Sequence, residues 1–151
     1  VRTAYAPFEE ASSYPALQQY LDNMAEYNPS GRVAGLGLQA TSAYLLFAVA
    51  ANNCLDANNN VLERECVLAE GKKISSWTGG GLHTETNPAK GLPPECGLIM
   101  GVVDGKWQRV YPELGSADDN GGGWHCDSPG TVSITGDFGD ATSGVDPTRE
   151  N

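Results

Sequence analysis

WTGGGLHTETNPAKGLPPECGLIMGVVDGKWQRVYP occupies residues 77–112, and the pair Asp104-Gly105 inside it decides how the rest is read. Two strand-like runs, 98–103 and 106–111, flank that pair, and an Asp-Gly dipeptide supplies the two positive φ angles of a type I′ turn. The spacing predicts a β-hairpin that pairs Val103 with Lys106, Val102 with Trp107, Met100 with Arg109 and Leu98 with Tyr111. In that register Leu98, Met100, Val102, Trp107 and Tyr111 share one face. A lone hairpin is marginal in water, so this face needs a larger sheet or helices from the first half of the chain to cover it.

The first half offers those helices. Residues 1–11 have no helical period and read as an extended segment. Ser13 is placed as an N-cap with Pro15 in the first turn, and Tyr14, Leu17, Tyr20, Leu21, Met24 and Tyr27 recur every three or four residues along one face of an amphipathic helix. Asn28-Pro29-Ser30-Gly31 stops it. A second helix is expected over 33–53; its apolar run at 43–51 predicts a helix buried on most of its circumference. Gly35 and Gly37 weaken its first turn or let it approach another segment closely. A third, short helix is expected over 62–70. The loop Asp56-x-Asn58-x-Asn60 has the look of a calcium run, but Val61 stands where the turn needs glycine and Val67 where a bidentate glutamate belongs. It reads as an asparagine-rich turn.

At 151 residues the chain can bury one hydrophobic core. A net charge of −10 argues against a nucleic-acid partner, which needs a basic stripe. The apolar run 43–51 falls far short of the ~20 residues of a membrane-spanning helix. Val1 is not an initiator methionine, and we expect a piece of a longer chain. Residues 113–151 carry eight acidic residues against the single Arg149 and read as an acidic, glycine-rich extension to a domain spanning 1–112, anchored through Trp124 and Cys126. A small strand is expected at 131–135. Asp118-Asp119-Asn120 and 137–140 read as solvated acidic loops rather than calcium sites.

The four cysteines, Cys54, Cys66, Cys96 and Cys126, allow three disulfide connectivities. No C-x-x-C pair accompanies the histidines, so disulfides in an oxidising compartment are favoured over a metal site. Proximity along the chain favours Cys54 with Cys66 and Cys96 with Cys126. No nucleophile elbow, metalloprotease helix, P-loop or dinucleotide fingerprint occurs, and no cofactor is implied. His83 with Glu85 is the one pair placed for acid-base work, although a loop histidine is more often a hydrogen-bonding group.

One order of motifs points to a family. P-F-E-x-A at 7–11, the amphipathic helix, P-S-G at 29–31, Q-A-x-x-A-Y-L-L-F-A at 39–48, W-T-G-G-G-L-H at 77–83 and the D-G-K hairpin together resemble the C-terminal part of type I periplasmic solute-binding proteins of the branched-chain amino acid receptor kind. The resemblance covers residues 1–112. It implies an α/β fold of two lobes with a ligand cleft between them, of which this chain carries the last portion with a buried helix and a terminal hairpin. Residues 13–90 would belong to the first lobe, 1–11 and 91–97 to two crossings, and the hairpin to the second lobe. Leu36 and Gln39, after P-S-G, match the positions that line the cleft. The implied role is non-enzymatic: an extracellular or periplasmic protein, anchored if at all through an upstream segment, that hands a small solute such as an amino acid to a membrane transporter permease. The alternatives are a secreted hydrolase-like domain using His83 and Glu85, and a cell-surface structural or assembly protein. A chain with half a cleft is expected to bind weakly, and its exposed sheet edge and unmatched apolar face to favour self-association.

Overall fold

The structure, a computed structural model, describes residues 1–91, 94–126 and 135–136. The expected strand at 131–135 falls almost entirely outside these residues, and the acidic run at 137–140 lies wholly outside them. The chain is a mixed helix and strand protein with a small antiparallel sheet. In order come β1 (Arg2–Thr3), a 3-10 helix (Phe8–Ser13), α1 (Pro15–Tyr27), α2 (Gly35–Ala57), α3 (Arg64–Gly71), β2 (Cys96–Val103), β3 (Lys106–Tyr111) and β4 (His125–Cys126).

The hairpin forms at the expected turn, with φ of 50° at Asp104 and 76° at Gly105. Val103, Val102 and Met100 pair with Lys106, Trp107 and Arg109 as the turn dictates. Beyond them the register slips: Ile99, not Leu98, lies opposite Tyr111, because an irregularity between Ile99 and Met100 leaves Val110 without an opposite residue. The shift turns Tyr111 to the other face, where its ring meets His125 edge-on at 4.9 Å. On the inner face Leu98 and Met100 are buried, and the residue opposite Met100 is the charged Arg109. Val102 and Trp107 lie toward the tip and stay substantially exposed.

β2 is the centre of the sheet, paired with β1, β3 and β4. The N-terminal segment does more than extend. Past β1 it runs beside the loop after the triple glycine, with Ala6 N–H donating to Leu82 C=O and Thr84 N–H to Ala4 C=O. It therefore stitches the hairpin to the helical half, and then coils into the 3-10 helix that the sequence reading had as extended chain. Ser13 ends that helix instead of capping the next. Tyr14 takes the cap position with φ −127° and ψ 93°, the extended conformation forced on a residue before proline, and α1 starts at Pro15 with no side-chain cap.

The core gathers Ala6, Ala11, Tyr14, Leu17, Tyr20, Leu38 and Leu82. Gly37 brings α2 against α1: a Cβ there would lie 2.2 Å from the Tyr20 hydroxyl, so the glycine serves close approach. α2 itself departs from expectation. It is not buried on most of its circumference; only Leu38, Ser42, Ala50 and Cys54 are, because its second half packs mainly on the short α3. Tyr44 is 75% exposed and Phe47 56%. Cys54–Cys66 ties α2 to α3, and Cys96–Cys126 ties the start of β2 to β4, so both proximal pairings form. These two disulfides suggest an oxidising, extracellular environment. No helix among the described residues is long and apolar enough to cross a membrane.

Candidate functional site

Three segments converge on a cavity of about 460 Å³. The N-terminal segment supplies Tyr5, Phe8 and Glu9, α2 supplies Gly35 and Leu38 from its first turn, and the hairpin supplies Met100 and Trp107. Each is held there for a local reason. Phe8 begins the 3-10 helix, and its ring lies 6.4 Å from that of Tyr20. Leu38 is buried where Gly37 lets α2 close on α1. Trp107 stands opposite Val102 near the hairpin tip. The walls are mostly apolar, with Glu9 as the acidic residue among them. The helix that opens at Gly35 has no side-chain cap; the Gly37 N–H donates to the Ala34 carbonyl at 2.9 Å, and the positive end of the helix dipole lies at this turn.

Leu36 and Gln39, the positions matched to a ligand cleft, each follow a lining residue by one. A step of one residue turns a helical side chain by about 100°, so Gly35 and Leu38 face the cavity while Leu36 is 75% exposed and Gln39 is exposed. The cavity joins segments far apart in the chain, and residue spacing could not show that Trp107 and Phe8 would line the same space.

A second constellation surrounds His83. Its Nδ1 donates to the Thr84 carbonyl at 2.7 Å, which leaves Nε2 to accept from Ser42 Oγ, also at 2.7 Å. Trp77 Nε1 donates to the same Ser42 oxygen at 2.9 Å. Burial lowers the His83 pKa below its ordinary 6.5, and the bond to the Thr84 carbonyl, which acts the other way, does not restore it. A serine, a neutral imidazole and an orienting carbonyl are the parts of a nucleophile and its base. Here they are sealed: Ser42 is 5% and His83 6% exposed, and Gly79 covers them so closely that a Cβ on it would lie 2.7 Å from Ser42 Oγ. Glu85 points to solvent and takes no part in the bonds of the His83 ring. Sequence reasoning paired His83 with its neighbour in the chain. The residue it touches sits 41 positions earlier on α2, and no local signal reveals that.

Asp119 is spoken for as well. Its carboxylate accepts from the N–H groups of Gly115, Gly121 and Gly123, and these bonds, Gly115 and Gly121 foremost, hold its pKa below 3.8. It organises the glycine loop. Among the described residues no group of three histidine, cysteine or acidic side chains is placed to hold a metal ion.

Compared with known proteins, the chain matches no family model. No curated protein matches it, and no solved structure does.

Proposed function

We propose that the chain is part of an extracytoplasmic solute-binding protein, which holds a small solute such as an apolar amino acid and delivers it to a membrane transporter permease. The observation that carries this reading is the cavity between the N-terminal segment, the start of α2 and the hairpin. Those are the segments that the motif order assigns to a crossing, the first lobe and the second lobe of a two-lobe receptor. Its volume of about 460 Å³ suits a ligand of amino-acid size with room for water. A carboxylate, Glu9, and an uncapped helix start supply opposite charges for the ammonium and carboxylate of a zwitterion, and Phe8, Leu38 and Met100 supply a dry wall for its side chain.

Calorimetric titration with branched-chain, aromatic and polar amino acids tests the proposal, read alongside tryptophan fluorescence. Binding should be weak but saturable, because one side of the cavity opens to solvent. Trp107→Ala should weaken it by about 10-fold or more, and Glu9→Gln by less. Trp107 is nearly half exposed, so the first change leaves the core intact. Absence of heat and of a fluorescence response at millimolar solute would reject the reading, as would binding that ignores both changes.

A second reading, a secreted hydrolase-like domain, rests on Ser42 beside His83 and needs that sealed pair to open to substrate. It requires turnover of an ester or peptide substrate that both Ser42→Ala and His83→Ala abolish while the fold survives.

A further inference from the structure

One side of α2 is apolar and exposed along much of its length. Leu36, Ala40, Ala43 and Phe47 recur at spacings of four, three and four along one side of the helix, Tyr44 lies beside them one turn from Ala40 and from Phe47, and all are exposed. No charged side chain occurs between Arg32 and Asp56. Beside this stripe α3 and the preceding loop add Leu62 and Leu68, each 53% exposed. Scattered apolar residues on a surface are ordinary, but a contiguous stripe with two aromatic rings marks an interaction site.

We propose that the face is covered by a second copy of this chain, through a two-fold pairing of α2 with α2. Three observations favour that occupant. First, relief: Tyr44, 75% exposed, follows Ala43, which with Leu46, Phe47, Val67, Leu68 and Lys72 among others lines a mostly apolar hollow of about 300 Å³. A two-fold contact uses the same patch twice, so each copy's Tyr44 can enter the other's hollow, and the small side chains of Ala40 and Ala43 let the helix axes approach. Second, charge: a chain of net charge −10 repels its own copies over most of its surface. This stripe is exempt, and its rim carries both signs in Glu63 and Arg64, which a two-fold axis can set against each other. Third, extent: Leu36 and Tyr44 are 75% exposed, Phe47 56%, and Leu62 and Leu68 53% each, a run of large apolar side chains on one side of the molecule of the kind a standard interface of about 800 Å² per partner draws on. The contact centres on Ala43, Tyr44 and Phe47 in the middle of α2, and Leu36 at its edge lies on a different side of the first turn from Gly35 and Leu38, which line the cavity, so a dimer leaves the cavity open.

Sedimentation equilibrium of the full chain from micromolar to millimolar concentration tests this, with disulfides intact. A reversible monomer–dimer equilibrium is expected. Phe47→Glu and Tyr44→Glu should each weaken it by at least about 30-fold, the loss of one central side chain. Both residues are more than half exposed, so the variants should keep the wild-type circular dichroism. A single new thiol from Ala43→Cys should form a disulfide-linked dimer on oxidation, since that position lies close to the two-fold axis. A chain that remains monomeric throughout overturns the proposal, whether another protein or residues 127–151 cover the face. So does an association that Phe47→Glu and Tyr44→Glu leave unchanged, or one that grows without closing at a dimer.

Discussion

Arg109 and Glu10, 99 residues apart in the chain, form a two-point ion pair between the hairpin and the 3-10 helix, with Nη2 2.7 Å from Oε2 and Nε 3.0 Å from Oε1. The same guanidinium donates to the Tyr14 hydroxyl at 2.9 Å and to the Gly123 carbonyl, and Tyr14 in turn donates to Gly122 C=O at 2.9 Å. Burial is the largest single effect and works against the charge on Arg109, but the hydrogen bonds and charges of Glu10 and Tyr14 together outweigh it and the pKa moves up. One side chain thus joins the sheet, the first helices and the acidic extension.

The first prediction concerns that junction. The side chains are 8% and 19% exposed, so Arg109→Met should destabilise the protein by about 3 kcal/mol, since it strands the Glu10 carboxylate. The double variant with Glu10→Leu should cost less than Arg109→Met alone. Denaturant unfolding of the four species gives the coupling; single-variant losses below about 1 kcal/mol would place the pair among surface ion pairs.

Acid should lower the stability of the protein in two pH windows. His83 has a folded pKa below its unfolded value, so the unfolded state binds the proton first; the contribution is complete above about pH 6.5 and is lost as pH falls below that value. Asp119, also depressed, contributes above about pH 3.8 and loses its share as pH falls further. Melting temperatures across pH 3 to 8 should drop in both windows, and His83→Gln should remove the upper drop alone. An upper drop that persists in this variant belongs to another group.

Gly79 and Gly80 separate backbone strain from contact. Both hold positive φ, 63° and 75°, but a Cβ at Gly80 meets nothing within 4 Å while one at Gly79 strikes Ser42 and His83. Gly80→Ala should cost about 1 kcal/mol for its φ alone, and Gly79→Ala about 2 kcal/mol more. Equal losses in thermal melts would mean that Ser42 and His83 give way without cost.

The native oxidised protein should show no thiol to alkylating reagents, since all four cysteines are paired. Opening Cys54–Cys66, which spans 12 residues, should cost about 3 kcal/mol, and opening Cys96–Cys126, which spans 30, slightly more, on the chain-entropy account. Paired Cys→Ser variants measure both, and a reversed order would show that strain or residual structure outweighs loop length.

Features that depend on neighbours in the chain were legible from residues alone. Asp104-Gly105 can hardly avoid its turn, because few other residues tolerate two successive positive φ angles, and the pairing next to it follows. The three helices lie close to where apolar spacing and the stops at Pro29 and Gly71 put them, and the short separation of Cys54 and Cys66 favoured their pairing. Contacts between distant segments were not legible. Val110 carries no mark of the irregularity that turns Tyr111 over; Ser42 and His83, or Arg109 and Glu10, have nothing in their surroundings in the chain that names the other. The apolar run of α2 shows the limit most directly. Hydrophobicity says which side chains gain from leaving water, and only the placement of other segments decides whether anything is there to receive them. Here Leu38 found α1 and Tyr44 found solvent.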